Sequence, residues 1–300
     1  MTDRPLTYAV VTPARNETAN LPRLASALAA QTVLPVAWVL VDNDSTDDTA
    51  AAARELAESS YGPTLVIDAP GERLPMRGAP VARAFTAGVK ALPETPDVVV
   101  KLDGDTSMAE DYFERLLAEF AADPRLGLAS GTCYELEDGE WVPRFATAGS
   151  VRGASRAYRW ACLQDVTPLA ERTGWDGIDE LRASGRGWRT TSFSHLPFYH
   201  HRALGGRDHK RVRQPFEMGR TAHYSGYRAY YLLLSAAFRA MRLRNPAELA
   251  MIAGFLSATV RREARCPDTA ALAHARRQQR LRTLPQRALE ALGRRTAAAS

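Results

Sequence analysis

Pro96-Asp97-Val98-Val99-Val100-Lys101-Leu102-Asp103-Gly104-Asp105-Thr106 is the stretch on which the reading of the fold turns. A run of β-branched residues reads as a strand buried on both faces, and it stops at two carboxylates separated by one glycine. Open α/β sheets bind ligands beyond the carboxyl ends of their strands. Side-chain alternation then sends Asp103 and Asp105 the same way. Two hard oxygen ligands at such a place suit Mg²⁺ or Mn²⁺ held together with phosphates. The competing reading is an Asp-Gly-Asp turn that caps the following helix.

Upstream of this stretch, strand and helix alternate. Thr7–Thr12 reads as a strand and Asn20–Ala30 as a helix with Leu21, Leu24 and Leu28 on one face. Val36–Val41 is a second strand, stopped by the polar cluster Asp42–Asp48, and a helix follows from Thr49 to Ser59. Thr64–Asp68 is a third strand, Pro80–Ala91 a helix and Asp97–Leu102 the fourth strand. This repetition predicts an α/β fold with a mostly parallel central sheet covered by helices and joined by right-handed crossovers.

Downstream the pattern changes. Helices are expected over Ala109–Ala122, Gly153–Gln164 and Ile178–Ser184, and strands near Leu126–Tyr134, Trp141–Ala146 and Trp188–Phe193. Arg202–Gln214, rich in Gly, Arg and Lys, reads as a mobile loop. From Phe216 onward the chain reads as helical, and Tyr230–Met241 and Leu249–Val260 are apolar but too short to span a bilayer. They have the character either of interfacial helices or of helices packed on the main domain.

The chain has 300 residues, of which 45% are hydrophobic and 24% charged, ordinary values for a globular protein with a substantial core. The N-terminus shows no apolar signal-peptide core. Cys133, Cys162 and Cys266 are scattered and odd in number, so neither a disulfide framework nor a cysteine metal site is indicated, and a reducing cytoplasm fits best. The net charge of +5 is uneven: residues 261–300 hold ten arginines against Glu263, Asp268 and Glu290. Such a tail suits an anionic surface or simple solvation.

Two further polar clusters close strands on the same sheet edge as Asp103 and Asp105. Pro13-Ala14-Arg15-Asn16-Glu17 ends the first strand, and Asp42-Asn43-Asp44-Ser45-Thr46-Asp47 ends the second. Carboxylates accept from the donors of a purine, pyrimidine or ribose, which makes Asp42 and Asp44 candidate readers of a nucleoside.

With these clusters in view the chain resembles the family 2 glycosyltransferases, which carry the GT-A fold. The family's Pro-x-Arg-Asn-Glu type segment, its Val-Asp-Asx-x-Ser-Thr-Asp and its Asp-x-Asp are matched by Pro13–Glu17, Val41–Asp47 and Asp103–Asp105. Gly78–Gly88 looks like the family's Gly-x-x-x-Ala-Arg-x-x-x-x-Gly stretch. The resemblance implies an inverting, metal-dependent glycosyltransferase of bacterial type with a nucleoside-diphosphate sugar as donor. Pro13, Arg15, Asn16, Glu17, Asp42 and Asp44 would bind the nucleoside, Arg83 would lie near the phosphates, and Asp103 would touch ribose or metal. Asp105 would bind Mg²⁺ or Mn²⁺, and His200 or His201 would complete the metal shell. It further implies one GT-A-like domain plus C-terminal helices: residues 1–105 for the nucleotide sugar, 106–215 for the acceptor and 216–300 as a helical extension.

For the catalytic base, processive members write Thr-Glu-Asp with Gly-Trp eleven residues after that Asp, and Asp176 to Gly187-Trp188 repeats the spacing. Trp175 stands where Glu is usual, and Asp179 and Glu180, one turn on, compete with Asp176. Such a base must stay ionised beside an acceptor hydroxyl. The processive Gln-x-x-Arg-Trp sequence is missing, which disfavours repeated transfer. Arg207, Lys210, Arg211 and Arg213 read either as a loop that clamps the diphosphate or as a solvated basic segment. The acceptor is an unknown hydroxyl, with a lipid-linked one on the inner face of the membrane suggested by the C-terminal helices, and no nucleic acid partner is expected. Two other readings remain: a sugar-phosphate nucleotidyltransferase, and a non-catalytic membrane-associated adaptor on the same fold.

Overall fold

The structure is a computed structural model that describes residues 4–59, 62–69, 79–137, 139–144, 149–201, 212–242 and 244–283. The chain divides into two compact units, residues 1–183 with 187–202, and residues 184–186 with 203–300.

The first unit opens with β1 (Tyr8–Ala14), α1 (Leu21–Ala29), β2 (Ala37–Asp42), α2 (Thr49–Ser59), β3 (Thr64–Asp68), α3 (Ala79–Lys90) and β4 (Val98–Leu102). These four strands pair in parallel in the order β3-β2-β1-β4. Alternation along them feeds two cores. Tyr8, Val10, Leu40, Val98 and Val100 pack with α1, and Val11, Val39, Val41 and Val99 pack with Phe85 of α3. A sheet covered on both faces needs continuous apolar strands, which is why Val98–Val100 carry no polar residue.

β5 (Thr106–Met108), α4 (Tyr112–Ala122), β6 (Leu126–Glu137), β7 (Glu140–Pro143), β8 (Ser155–Arg159), α5 (Trp160–Val166), α6 (Trp175–Gly185) and β9 (Arg189–His200) complete the unit. The sheet continues β4-β8-β6-β9-β5, with β7 on β6. The β4–β8, β8–β6, β9–β5 and β6–β7 pairs are antiparallel, while β6–β9 is parallel. The parallel sheet expected from the first hundred residues therefore extends into a mixed one.

The helix expected over Gly153–Gln164 needs correction, because its first half is β8 and only Trp160–Val166 is helical. Ser155, Arg156, Ala157 and Tyr158 lack the β-branched signature of a strand. Their place between β4 and β6 imposes the extended form on them. The strand expected from Trp188 and the strand-like run to Tyr199 are one element, β9.

The second unit contains α7 (Arg213–Tyr224), α8 (Ala229–Arg242), a 3₁₀ turn at Pro246–Leu249, α9 (Ala250–Val260) and α10 (Thr269–Gln278). Gly78, Arg207, Lys210 and Arg211 lie outside the described residues.

Gly88 illustrates how the layers are held. A Cβ there would overlap Val11 Cγ1 and stand 2.9 Å from Val41 Cγ2, so α3 lies directly on β1 and β2 only because this position has no side chain. Alanine would gain about 1 kcal/mol of helix propensity. Overpacking against two strands costs about 1–3 kcal/mol and outweighs that gain. Gly88→Ala is expected to lower the urea midpoint of unfolding with the slope unchanged.

Candidate active site

The carboxyl ends of β1, β2 and β4 meet at one edge. In register, Ala14 faces Asp42 across β1–β2, and Val11 faces Lys101 across β1–β4. The loop after β1 therefore reaches the turn after β4, where a Cβ on Gly104 would stand 3.2 Å from Glu17 Cγ. Asn16 has φ 57° and Asp44 φ 59°, left-handed values that these two residue types tolerate. Asn16 Oδ1 accepts from the Thr46 N–H at 2.8 Å, and the Asn16 N–H donates to Ser45 Oγ at 3.1 Å, so the two loops brace each other. Glu17 N–H donates to Thr49 Oγ1 at 2.7 Å. Arg15 and Asp44 are exposed, and Pro13 is half-buried.

Asp42 ends β2, and its Oδ1 is buried with no hydrogen-bond partner among the described residues. A buried carboxylate oxygen of this kind costs free energy until a donor reaches it. An N–H or O–H donor of a ligand could satisfy it.

At the end of β4, Asp103, Asp105 and His200 each bring one ligand atom to a group within 4.8 Å of one another. An octahedral cation with bonds of about 2.1 Å separates opposite ligands by about 4.2 Å, so these three atoms can surround one ion. Two carboxylates and an imidazole suit Mn²⁺ well and Mg²⁺ adequately. His200 comes from the end of β9, where it pairs with Thr106 of β5. Its Nε2 lies 3.1 Å from Asp105 Oδ1 and its Nδ1 3.4 Å from Glu135 Oε1. Burial disfavours charge on this ring, yet the Asp105, Asp103 and Glu135 carboxylates outweigh it and raise its pKa. His201 turns elsewhere: Nε2 is 2.7 Å from Ser107 Oγ, the ring meets Trp141 edge-on, and burial lowers its pKa.

Cys133, Glu135 and His200 form an overlapping group. Burial pushes the Cys133 thiol up to about 12, and thiols are soft ligands, so the Asp103 set is the better match to a hard cation.

Lys101 was not anticipated as a site residue. It is buried within β4, where its Nζ pairs with Asp103 Oδ1 and donates to Gly153 O at 2.7 Å. Its signal was a single lysine inside an otherwise apolar strand. Gly153 in turn adjoins Asp176, since a Cβ on Gly153 would stand 3.3 Å from Asp176 Oδ2. Asp176 is half-buried in the first turn of α6 and accepts from its neighbour, the Gly177 N–H, at 3.1 Å.

Asp179 and Glu180 stand differently. Arg156, fully buried on β8, pairs with both, and Asp179 also accepts from the Tyr158 hydroxyl. Glu180 accepts from the Val151 N–H at 2.7 Å. Burial pushes Asp179 up to about 6 and Glu180 up to about 7, each against the pull of Arg156. Perturbed carboxyls of this kind are a frequent mark of catalysis. Here the cause is a dry internal network that ties α6 to β8. Arg83 donates to Glu171 at 2.6 Å on the surface, a pair weak enough for a phosphate to displace.

Comparisons with known proteins bear on the family and the fold. The family model described as Glycosyl transferase family 2 matches residues 9–161. A 4,4'-diaponeurosporenoate glycosyltransferase of Staphylococcus haemolyticus is 28% identical over 128 residues, 42% of this chain. That match covers 32% of the relative, so the chain spans about a third of its length. Among solved structures, the mannosyltransferase PcManGT of Pyrobaculum calidifontis, in complex with GDP-Man and Mn²⁺, has a TM-score of 0.61 at 17% identity. The match covers 96% of this chain and 85% of that one. S. aureus TarS (residues 1–349) follows at TM-score 0.54 and 18% identity, over 73% of this chain and 64% of that one. GalNAc-T7, with UDP, GalNAc and Mn²⁺, has a TM-score of 0.56 at 14% identity, over 74% and 48%.

Arg156 gives this site a stability test. Arg156→Met leaves the Asp179 carboxyl buried without its cation, and a loss of about 3–5 kcal/mol is expected in urea unfolding. Asp176→Asn, at a half-exposed position, is expected to stay within about 0.5 kcal/mol of the parent.

Proposed function

The chain belongs to glycosyl transferase family 2, and on that premise we propose that it transfers a sugar from a nucleoside-diphosphate sugar to an acceptor hydroxyl. The transfer inverts the anomeric carbon and uses Mg²⁺ or Mn²⁺. The observation that carries this reading is the convergence of Asp103, Asp105 and His200 within 4.8 Å at the end of β4. PcManGT with GDP-Man and Mn²⁺, and TarS with UDP-GlcNAc, support a nucleotide sugar as donor for a chain of this fold.

Asp103, Asp105 and His200 would hold the cation, which when bound supplies positive charge for the departing diphosphate. Asp42 offers its unpartnered Oδ1 to a base N–H or ribose hydroxyl, and the braced loops at Pro13–Glu17 and Asp42–Asp47 shape the nucleoside pocket. Arg83 exchanges Glu171 for a phosphate oxygen. Asp176 is the base: its carboxylate takes the acceptor's proton as the hydroxyl oxygen attacks the anomeric carbon in line. It is preferred to Asp179 because Asp179 is committed to Arg156 and Tyr158. His201, turned toward Ser107 and Trp141, is left out of the metal set. Family membership favours glycosyl over nucleotidyl transfer, and the two are told apart by release of nucleoside diphosphate rather than pyrophosphate. The acceptor belongs to the second half of the chain, and its chemical class is an alcohol.

Two variants test the roles. Asp105→Ala is expected to lose about 100-fold or more of Mn²⁺-stimulated nucleoside diphosphate release. Full activity of this variant in excess chelator would overturn the metal role. Asp176→Asn is expected to keep the donor Kd seen by calorimetry while turnover falls by about 10²–10⁴. If Asp179→Asn, at matched stability, showed that phenotype while Asp176→Asn stayed active, the base would be Asp179.

A further inference from the structure

The second unit shows a surface that glycosyl transfer does not explain. On α9, Ala253, Leu256 and Val260 are exposed, and Leu249 just before the helix is exposed as well. Positions 249, 253, 256 and 260 recur at the spacing that keeps side chains on one face. The buried positions Met251, Gly254 and Ala258 form the opposite stripe. The exposure is large where it counts: Leu256 is 54% and Val260 80% accessible. α8 repeats the pattern, with Leu233, Leu234 and Met241 exposed while Leu232 and Ala236 are buried.

Charge around these stripes is mostly of one sign, with the half-buried Glu263 held by Arg220 at 3.0 Å. Val260 is followed by exposed Arg261, Arg262 and Arg265, and α8 by exposed Arg244. Between Arg228 and Arg262 there are six arginines and a single acid, Glu248. That acid is buried and accepts from Arg239 at 2.7 Å, so it leaves the surface cationic. Apolar side chains bordered by arginine are the composition of a helix that lies in a bilayer interface. No helix among the described residues is long and apolar enough to cross a membrane, so the helices would lie on it rather than span it.

We propose that the exposed stripes of α8 and α9 are a peripheral docking surface for an anionic phospholipid bilayer. A second copy of the chain fits less well. A two-fold interface would set this surface against itself and bring arginines toward arginines, with no exposed acid on it to pair them. Anionic headgroups neutralise the same arginines while the acyl boundary takes up Leu249, Leu256 and Val260. The inference rests on the second unit alone and stands whether or not the transferase reading holds.

Co-sedimentation of the full chain with vesicles tests it. The chain is expected to pellet with equal parts phosphatidylcholine and phosphatidylglycerol, to stay in solution with phosphatidylcholine alone, and to be released by high salt. The double substitution Leu256→Glu with Val260→Glu is expected to lower partitioning at least tenfold (about 1.4 kcal/mol) at an unchanged melting temperature. If the pair melts early, Val260→Glu alone provides the same readout. Arg261→Gln with Arg265→Gln is expected to weaken anionic binding about 30-fold, at a factor of about five for each arginine. Failure to pellet with anionic vesicles, or equal binding to neutral ones, overturns the proposal. A dimer in sedimentation velocity that Val260→Glu dissolves, without vesicle binding, assigns the surface to a second copy instead.

Discussion

A guanidinium shut away from water must find protein acceptors for its donors, and Arg156 is the group around which the junction of β8 and α6 is arranged. It sits on β8 and is fully buried. Its donors go to the Val151 and Asp176 carbonyls, to Tyr158 and to the Asp179 and Glu180 carboxylates. Desolvating these charges costs several kcal/mol per ion, and the pairing offsets it only because so many bonds are made at once. The consequence is positional. The first turn of α6 is bound to β8 through the main chain of Asp176, which leaves that residue's side chain to lie against Gly153. An aromatic row reinforces the junction, with Tyr158 stacked on Phe85 at 5.7 Å and Phe85 on Trp175 at 6.5 Å.

Lys101 carries the connection from there to the end of β4. One ammonium serves Asp103 and the Gly153 carbonyl, so the strand that bears the carboxylates and the loop beside Asp176 share a cation. Strand geometry makes this possible, because residues 101 and 103 point to the same side of an extended chain. The turn after β4 and the loop before β8 lie far apart in sequence, and this almost wholly buried side chain joins them beside the Asp103 N–H, which donates to Ala154 O at 2.8 Å.

What the sequence disclosed and what it hid follow one physical division. The strands β1, β2 and β4 were legible to within a residue or two because double burial leaves only apolar residues at most of their positions, and the half-exposed edge strand β3 was legible from Leu65, Val66 and Ile67. The turns that end them were legible because loops at a ligand edge concentrate Asp, Asn and Ser. β8 was hidden, since its stability comes from neighbours on both sides and from a buried arginine whose partners lie in α6. Asp176 and Asp179 looked alike in the sequence, three residues apart on one helix. Only the third dimension shows that one faces Gly153 and the other is enclosed by Arg156 and Tyr158. Gly88 closes the Gly78–Gly88 stretch, and only the fold shows that the space it leaves is taken by Val11 and Val41. Lys101 left its trace as one lysine inside an apolar strand, whereas nothing in a linear pattern marks Glu135, whose partner His200 lies on another strand.

The charges at the end of β4 argue for the order in which the proposed reaction must assemble. Asp103 holds Lys101, Glu135 holds Arg144 at 2.6 Å, and Asp105 and Glu135 share the His200 ring. Among the described residues, Lys101, Arg144 and His200 are thus each paired with a carboxylate of this cluster. A diphosphate brought beside Asp103 and Asp105 adds like charge, and two such charges at 4 Å repel by about 4 kcal/mol at an effective dielectric constant of 20. The raised pKa of His200 reports the same imbalance, because the pocket favours positive charge even against the cost of burial. Carboxylates placed where a phosphate must come would hinder binding unless a divalent cation joined them to it. On the proposed reading, a divalent cation held at Asp103 and Asp105 is what would let an anionic donor bind beside this acidic turn.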